Sequence, residues 1–431
     1  MTSYPKKYCP ARKQRLFPRL CLWQQKALSA WLFFLPLVFW PDLENPFSTP
    51  KLLWMVGGAL VSLAIIFLHR TENRRLTEDG LFWGIMAASI AVSLSILLSP
   101  RPSAEELLLR LSPPFLYLAL RLIDVHPRHI VQPLLWSTLA LSTIALLQFL
   151  TLDPFRWLGL HPEVFGSPRM RVYSTFGNPN FLAAWLAAML PFCTSMRSVP
   201  ESRNALLAWL EPMAILLPLG ALLATGSRTF LVVLPLLLLG AVLTLGLRKA
   251  GVIAAAFLTG ALFLLLFPQA RSWKTTLEGR LYIDRVIMRH FSEIPWFGYG
   301  PGSFSDRFQL WQAVDGRTPG LDPRGRRYAG PLDHAHNDYL EFLVDYGLVG
   351  LIALAVLLFS LFRDFWRLRW KGGNNAWYNK EAFISLGILL LVALFDFPFH
   401  RVPEWGLFWI LLSLPSREIP PGTAGDPIVE M

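Results

Sequence analysis

"DHAHNDYLEFLVDYGLVG", residues 333–350, opens as polar chain and becomes apolar helix sequence within a few residues. Asp338, followed three residues later by Glu341, predicts an N-cap with an acidic third position and a helix starting at Tyr339. The apolar run then continues to residue 361, long enough to cross a hydrocarbon core. His334, His336 and Asn337 therefore stand just ahead of a span, at its water-facing end. Gly347 and Gly350 lie roughly 15 Å further along the helix, where small residues let another helix approach closely. Asp345 sits two turns in from Asp338 on the same face, and an ionisable group at that depth is expected to face the bundle interior or a wet cavity. The acidic face is thus expected to line a pocket. The stretch admits three meanings: a metal site, a catalytic base at the mouth of a membrane pocket, or a capped helix start.

The rest of the chain supports the bilayer as solvent. Of 431 residues, 54% are hydrophobic and only 16% charged, with mean hydropathy +0.42. A soluble domain of this length cannot hide so much apolar surface. The apolar residues come in runs, not in alternating segments, which excludes an outer-membrane barrel. The expected class is an all-α polytopic membrane protein with about twelve transmembrane helices. Spans are read near 28–41, 52–68, 81–98, 104–121, 130–150, 178–195, 206–225, 229–246, 250–267, 339–361, 381–397 and 402–415.

Orientation follows from Lys and Arg in short loops. The stretches "HRTENRR", "RLIDVHPRH", "MRSVPESRN", "LRKAG" and "RDFWRLRWKGG" fall on one side when every span is counted, and that side is cytoplasmic. The chain then divides into a basic cytoplasmic tail 1–27, nine spans within 28–267, a large outer loop 268–338, three spans within 339–415 and a cytoplasmic tail 416–431. The N-terminal "KKYCPARKQRLFPRL" lacks a small-residue cleavage site and reads as a retained tail. The charge of +11 is mainly a topology signal, so no nucleic-acid partner is expected. Cys9 and Cys21 fall in the cytoplasmic tail and Cys193 in a span, so no disulfide is expected in the outer loop.

Three patches collect on the outer side. In "RMRVYSTFGNPNFLAAW", Asn178 and Pro179 break the chain before a span starting at Asn180, where an Asn is a cap more often than a ligand. "TGSRTF" is a tight turn that puts Arg228 at the membrane rim, either snorkelling to head groups or helping exposed turn amides hold an anion. "TLEGRLYIDRVIMRHFSEI" has the mixed pattern of an amphipathic surface helix, with Arg280, Arg285 and Arg289 spaced near one turn so that they could share a side. The bland account of that helix is a basic element lying on anionic lipid. "PWFGYGPGSF" follows as a glycine-rich turn against the membrane, and "AVDGRTPGLDPRGRRYAGP" reads as flexible loop. A histidine at such a mouth suits activation of a hydroxyl, and the arginines suit a departing pyrophosphate.

These residues resemble the O-antigen ligase and polymerase family of bacterial membrane glycosyltransferases. His336-Asn337, nine residues, Gly347, two residues and Gly350 match that family's outer-loop pattern. "FGNPNFLAAWLAAMLP", "TGSR" and "GRLYIDRVIMRHFSEIPWFGYGPGSF" precede it in the family's order, so the resemblance covers roughly residues 170–360. It implies a GT-C-like fold with the large loop in the periplasm. It also implies an undecaprenyl-pyrophosphate-linked glycan as donor, a lipid A-core or glycan acceptor, and inversion at the sugar carbon without metal, nucleotide sugar or other cofactor. By position His336 resembles the family's essential loop histidine, and Arg228 and Arg280 its pyrophosphate-binding arginines, with Arg285 and Arg289 close by. Asn337, Asp338, Glu341, Asp345, His334 and Asn180 are expected around the acceptor. Two departures stand out: the family more often has Glu at the position of Asp345, and His334 adds a histidine that the pattern does not require.

The length favours a ligase or a repeat-unit polymerase over protein O-glycosylating members. A transporter or flippase is the rival from another class, but the charged features gather on one face and no matching pair of broken helices is visible. A structural membrane protein would leave the clustered Arg and His without a purpose. The rival metal site would use His334 and His336 with Asp333 and Asp338; it requires the histidines to converge and Asp338 to leave its capping role.

Overall fold

The computed structural model describes residues 18–68, 80–98, 104–122, 127–158, 172–195, 205–227, 229, 233, 273–318, 325–369 and 376–414. The described residues form α-helices and short 3₁₀ turns, with no strand among them. In chain order the helices are α1 (Pro18–Phe34), α2 (Thr49–Leu68), α3 (Gly80–Leu98), α4 (Ala104–Leu122), α5 (Arg128–Phe149) and α6 (Pro179–Ser195). They continue with α7 (Ala205–Ala224), α8 (Trp273–Arg289), α9 (Phe304–Arg317), α10 (Asp338–Arg369), α11 (Ala376–Val392) and α12 (Val402–Leu412). All but α8 and α9 lie where the sequence predicts apolar spans. The spans expected at 229–246 and 250–267 lie, apart from residues 229 and 233, outside the described residues.

By length and composition two helices can cross a membrane outright, Arg128–Phe149 and Asp338–Arg363. Five shorter apolar helices accompany them: Thr49–Ala64, Gly84–Leu98, Pro179–Cys193, Met213–Ala224 and Val402–Leu412. The bundle's outside is itself apolar. Leu53, Leu60, Leu97, Leu98, Leu216, Phe359 and Phe362 are all exposed, a surface suited to lipid and costly in water. Its centre is α6, where every residue from Leu182 to Cys193 is buried. That helix packs against α5, α7 and α11, while α10 lies along α3 and α4 is shared between α2 and α12.

Boundaries move where proline or turn chemistry intervenes. The expected first span, 28–41, is a helix that begins at Pro18 and stops at Phe34, ahead of Pro36 and Pro41. α11 ends at Val392, and residues 393–400 form turns closed by Asp396 N–H to Val392 O and by a 3₁₀ turn at Pro398–His400.

The described part of the stretch 268–338 has a small core of its own. Tyr282, Ile283, Val286 and Ile287 on α8 meet Phe304, Phe308 and Trp311 on α9, with Ala335 and Val344 closing the cluster. Part of the stretch read as flexible loop is therefore helix. Phe304, Phe308, Trp311 and Asp315 recur at helical spacing and are buried, so α9 runs to Arg317.

The glycine-rich turn locks this unit to α10. Tyr299 N–H and Gly300 N–H donate to the carbonyls of Val344 and Asp345, each at 2.9 Å, and Val349 N–H donates to Trp296 O at 3.1 Å. Gly347 takes φ 65° and ψ −166°, breaking α10 at this point. A Cβ there would overlap the backbone of Pro295, Trp296 and Gly298, and a Cβ on Gly298 would overlap that of Asp345. The close partner at Gly347 is thus a turn rather than the helix the sequence suggested; at Gly350 a Cβ would meet α10's own Tyr346.

Candidate active site

Asn337 caps α10. Its Oδ1 accepts the N–H groups of Tyr339 at 3.2 Å and Leu340 at 3.3 Å. The expected cap, Asp338, is instead the first helical residue. Its carboxylate turns to the 398–400 turn, accepting Phe399 N–H at 2.9 Å and lying 2.7 Å from His400 Nδ1. With Asn337 on the second and third amides, Asp338 is free to hold the loop between α11 and α12.

The backbone that precedes the cap is strained. His336 has φ 53°, one of three non-glycine residues with positive φ among those described. A left-handed histidine costs about 1–3 kcal/mol, and such conformations cluster at functional sites. The His336 side chain meets Asp396, with Nδ1 3.7 Å from Oδ1. The ring is 35% exposed while Asp396 is buried. Asp396 is in turn held by Arg401, 2.7 Å away, which also reaches Glu404 at 3.1 Å. Phe397 is the platform for both histidines: His334 stacks on it at 4.2 Å between centroids, and His336 meets it edge-on at 5.1 Å.

Other patches reach the same place. Phe181, at the start of α6, lies under the Arg401 guanidinium at 3.7 Å and against Phe397 at 5.6 Å. Asn178 caps α6 by accepting Asn180 N–H at 2.9 Å, leaving the Asn180 amide oxygen to accept Ser227 Oγ–H at 2.7 Å. The "FGNPN" and "TGSR" stretches are therefore joined through Asn180, although Arg228 itself lies outside the described residues.

The three loop arginines do not share a side. Arg280 is partly buried within electrostatic reach of Asp396 and Asp284; burial lowers its pKa, and the two carboxylates oppose that shift. Asp284 is raised by burial and pulled back by Arg280. Arg285 is exposed and donates to Leu281 O of its own helix, and Arg289 pairs with Asp315 at 2.7 Å. Five residues separate Arg280 from Arg285, which swings the second away by more than a quarter turn at about 100° per residue.

Behind His336 lies a second acid–histidine cluster. Glu341 accepts Ala335 N–H at 2.8 Å, and its other oxygen stands 2.9 Å from His334 Nδ1 and 3.2 Å from His400 Nε2. Burial lowers the pKa of both imidazoles. Among the described residues, His334, Glu341 and His400 have the donor types and proximity of a divalent-ion site, a set without the His336 and Asp338 that the rival metal reading would use. Asp345 is committed to the loop's own turn. It is buried, and its carboxylate accepts Gly302 N–H at 2.9 Å and Ser303 Oγ–H at 3.2 Å, anchoring the glycine-rich turn.

Asp396, Phe397, His400 and Arg401 escaped the sequence reading because "FDFPFHR" is a very short link between two apolar runs. A signal was present. In the topology expected from the short loops, Arg401 falls at the end where few basic residues belong, five residues from an Asp in an otherwise apolar run.

The head of α10 and the turn between α11 and α12 thus gather histidine, carboxylate and arginine at one end of an apolar helical bundle. Residues 213–355 match a family model described as O-antigen ligase, which supports the family assignment carried by the motifs. The match supports O-antigen ligase or polymerase-type glycan transfer and includes Arg228, Arg280, His336, Gly347 and Gly350. It does not extend to Asn180 or to Asp396–Arg401. No curated protein matches the chain.

Proposed function

We propose that this chain is a metal-independent, inverting glycosyltransferase with a twelve-span, GT-C-like fold in the bacterial inner membrane. It moves a glycan from an undecaprenyl-pyrophosphate carrier to a hydroxyl acceptor at the periplasmic face, as an O-antigen ligase with lipid A-core as acceptor. The observation that carries this is His336, held in a left-handed backbone conformation at a half-open position beside Asp396 and Arg401, in the matched segment.

His336 accepts the proton of the acceptor hydroxyl as that oxygen bonds to the anomeric carbon. Asp396 orients the imidazole and stabilises the imidazolium, and Arg401 fixes Asp396. The bond from the anomeric carbon to phosphate oxygen breaks, and the lipid pyrophosphate leaves with the electron pair. Arg228 and Arg280 neutralise the leaving charge. Asn337 and the buried carboxylates Asp338, Glu341 and Asp345 hold the loop and the start of α10 in register for this chemistry.

The test is purified protein given a lipid-pyrophosphate glycan with and without lipid A-core. Ligation predicts release of the lipid pyrophosphate only with the core acceptor present, and none from His336→Ala. Chain growth from donor alone would make it a polymerase, and full turnover by His336→Ala would refute the mechanism.

A further inference from the structure

His400 lies in a turn that closes over the start of α10, and its side chain is only 2% exposed. Its Nδ1 is 2.7 Å from Asp338 Oδ1. A carboxylate accepts only, so Nδ1 carries the hydrogen and Nε2 presents a lone pair. That buried nitrogen has no hydrogen-bond partner among the described residues, yet it points at Glu341 Oε1, 3.2 Å away. An imidazole lone pair and a carboxylate oxygen at this distance repel unless something positive stands between them. A third ligand atom converges on the same oxygen, His334 Nδ1 at 2.9 Å, and the ligand atoms of all three residues lie within 4.8 Å of one another. Three ligand atoms thus meet at one buried carboxylate oxygen.

From this geometry we infer that His334, Glu341 and His400 form a site for a divalent first-row cation, zinc fitting the donor set best. Two imidazole nitrogens and one carboxylate oxygen are a standard zinc triplet, and His334 is partly exposed, so solvent reaches this edge of the cluster. The surroundings have the features of a metal site's outer layer. Asp338 orients His400 through Nδ1, Ala335 N–H holds the far oxygen of Glu341, and Phe397 stacks on the His334 ring. Charge agrees as well. The buried acids Asp338, Glu341 and Asp345 and the neighbouring Glu106 all face Arg110, while Arg401 pairs with Asp396 and Glu404 and also reaches the field of Asp338. The cation would clamp the loop before α10, the first turn of α10 and the 398–400 turn into one piece, and so set where His336 points without itself touching substrate.

The site goes beyond the transfer reading and is tested without any glycan donor. Full-length protein, purified in detergent on a tag that binds no metal, is analysed for bound metal. The apo form is then titrated with Zn²⁺ and, as a spectroscopic probe, Co²⁺. We expect one equivalent bound per chain, a four-coordinate Co²⁺ absorption band, and a rise in Tm on loading. His334→Ala, at the exposed edge, and His400→Ala should each lower affinity at least tenfold, whereas His336→Ala should bind Zn²⁺ like the parent. Absence of saturable Zn²⁺ or Co²⁺ binding by the parent would overturn the site. Equal affinity in His334→Ala and the parent would overturn it too, and that variant retains the Asp338–His400 contacts needed to fold. Failure of transfer in an otherwise metal-loaded protein would count against the proposed activity alone.

Discussion

Gly347→Ala is the sharpest probe of how the site is held. Two costs follow from the structure. First, φ 65° with ψ −166° is a region that essentially only glycine occupies, and forcing alanine into it costs about 1–3 kcal/mol. Second, the added Cβ overlaps the Pro295, Trp296 and Gly298 backbone, so the 295–303 turn must withdraw. Withdrawal breaks the bonds from Tyr299, Gly300 and Val349 described above, and that from Gly302 N–H to Asp345 Oδ2. At about 1 kcal/mol each, those bonds contribute about 4 kcal/mol, giving a total near 5–7 kcal/mol. That approaches the whole stability margin of an ordinary domain, roughly 5–15 kcal/mol. The assay is thermal unfolding of purified protein followed by tryptophan fluorescence, with Gly316→Ala as control. Gly316 lies in α9 with nothing near its Cβ position, so alanine there should be neutral or stabilise by about 0.5–1 kcal/mol. If Gly347→Ala melts within about two degrees of the parent, the close approach of turn and helix is refuted.

Arg280→Ala should abolish transfer with normal protein level, Arg280→Lys should restore it in part because a point charge lacks the planar fork, and Arg285→Ala should stay near parental activity; equal losses at Arg280 and Arg285 in a complementation assay would deny Arg280 its special place. Reporter fusions at Gly316 and at the C-terminus should report periplasm and cytoplasm respectively, and a cytoplasmic signal at Gly316 would sink the mechanism. Protein stripped of metal and assayed below its lowered melting temperature should transfer glycan at a reduced rate, because His336 stands outside the candidate ligand set but rests on the loop that the cation clamps; an unchanged rate in demonstrably apo protein would refute that positioning role. The hydrogen bond from His290, aided by Trp311, holds the Glu293 carboxyl below its ordinary range, so Glu293 stabilises the α8–α9 unit above its unfolded-state pKa and loses that effect as pH falls through the lower folded value. Protection factors in α9, corrected for the intrinsic exchange rate, should therefore fall below about pH 4.5 in the parent, and Glu293→Gln should show much less of that change.

Class and order of elements were legible in the chain because the bilayer imposes a one-dimensional rule: long apolar runs become helices, and their ends collect charge. Local chemistry at the head of α10 was half legible. Asn337 and Asp338 both cap well on paper, and only their contacts separate them, since Asp338 is taken by Phe399 and His400 some sixty positions away. The arginines of α8 show the same limit, because helical spacing says which residues lie on one side but not which side meets the bundle. That side was decided when Tyr282, Ile283, Val286 and Ile287 buried themselves against α9 and left Arg280 at the edge nearest Asp396. The partner of His336 lay in a seven-residue link between the last two spans, and the roles of Gly347 and Asp345 depended on a turn more than forty residues earlier. Sequence carries the propensity of each segment and the solvent it prefers. Which polar groups meet inside the bundle is set by packing across distant segments, since each buried donor and acceptor must find its partner wherever the fold brings one.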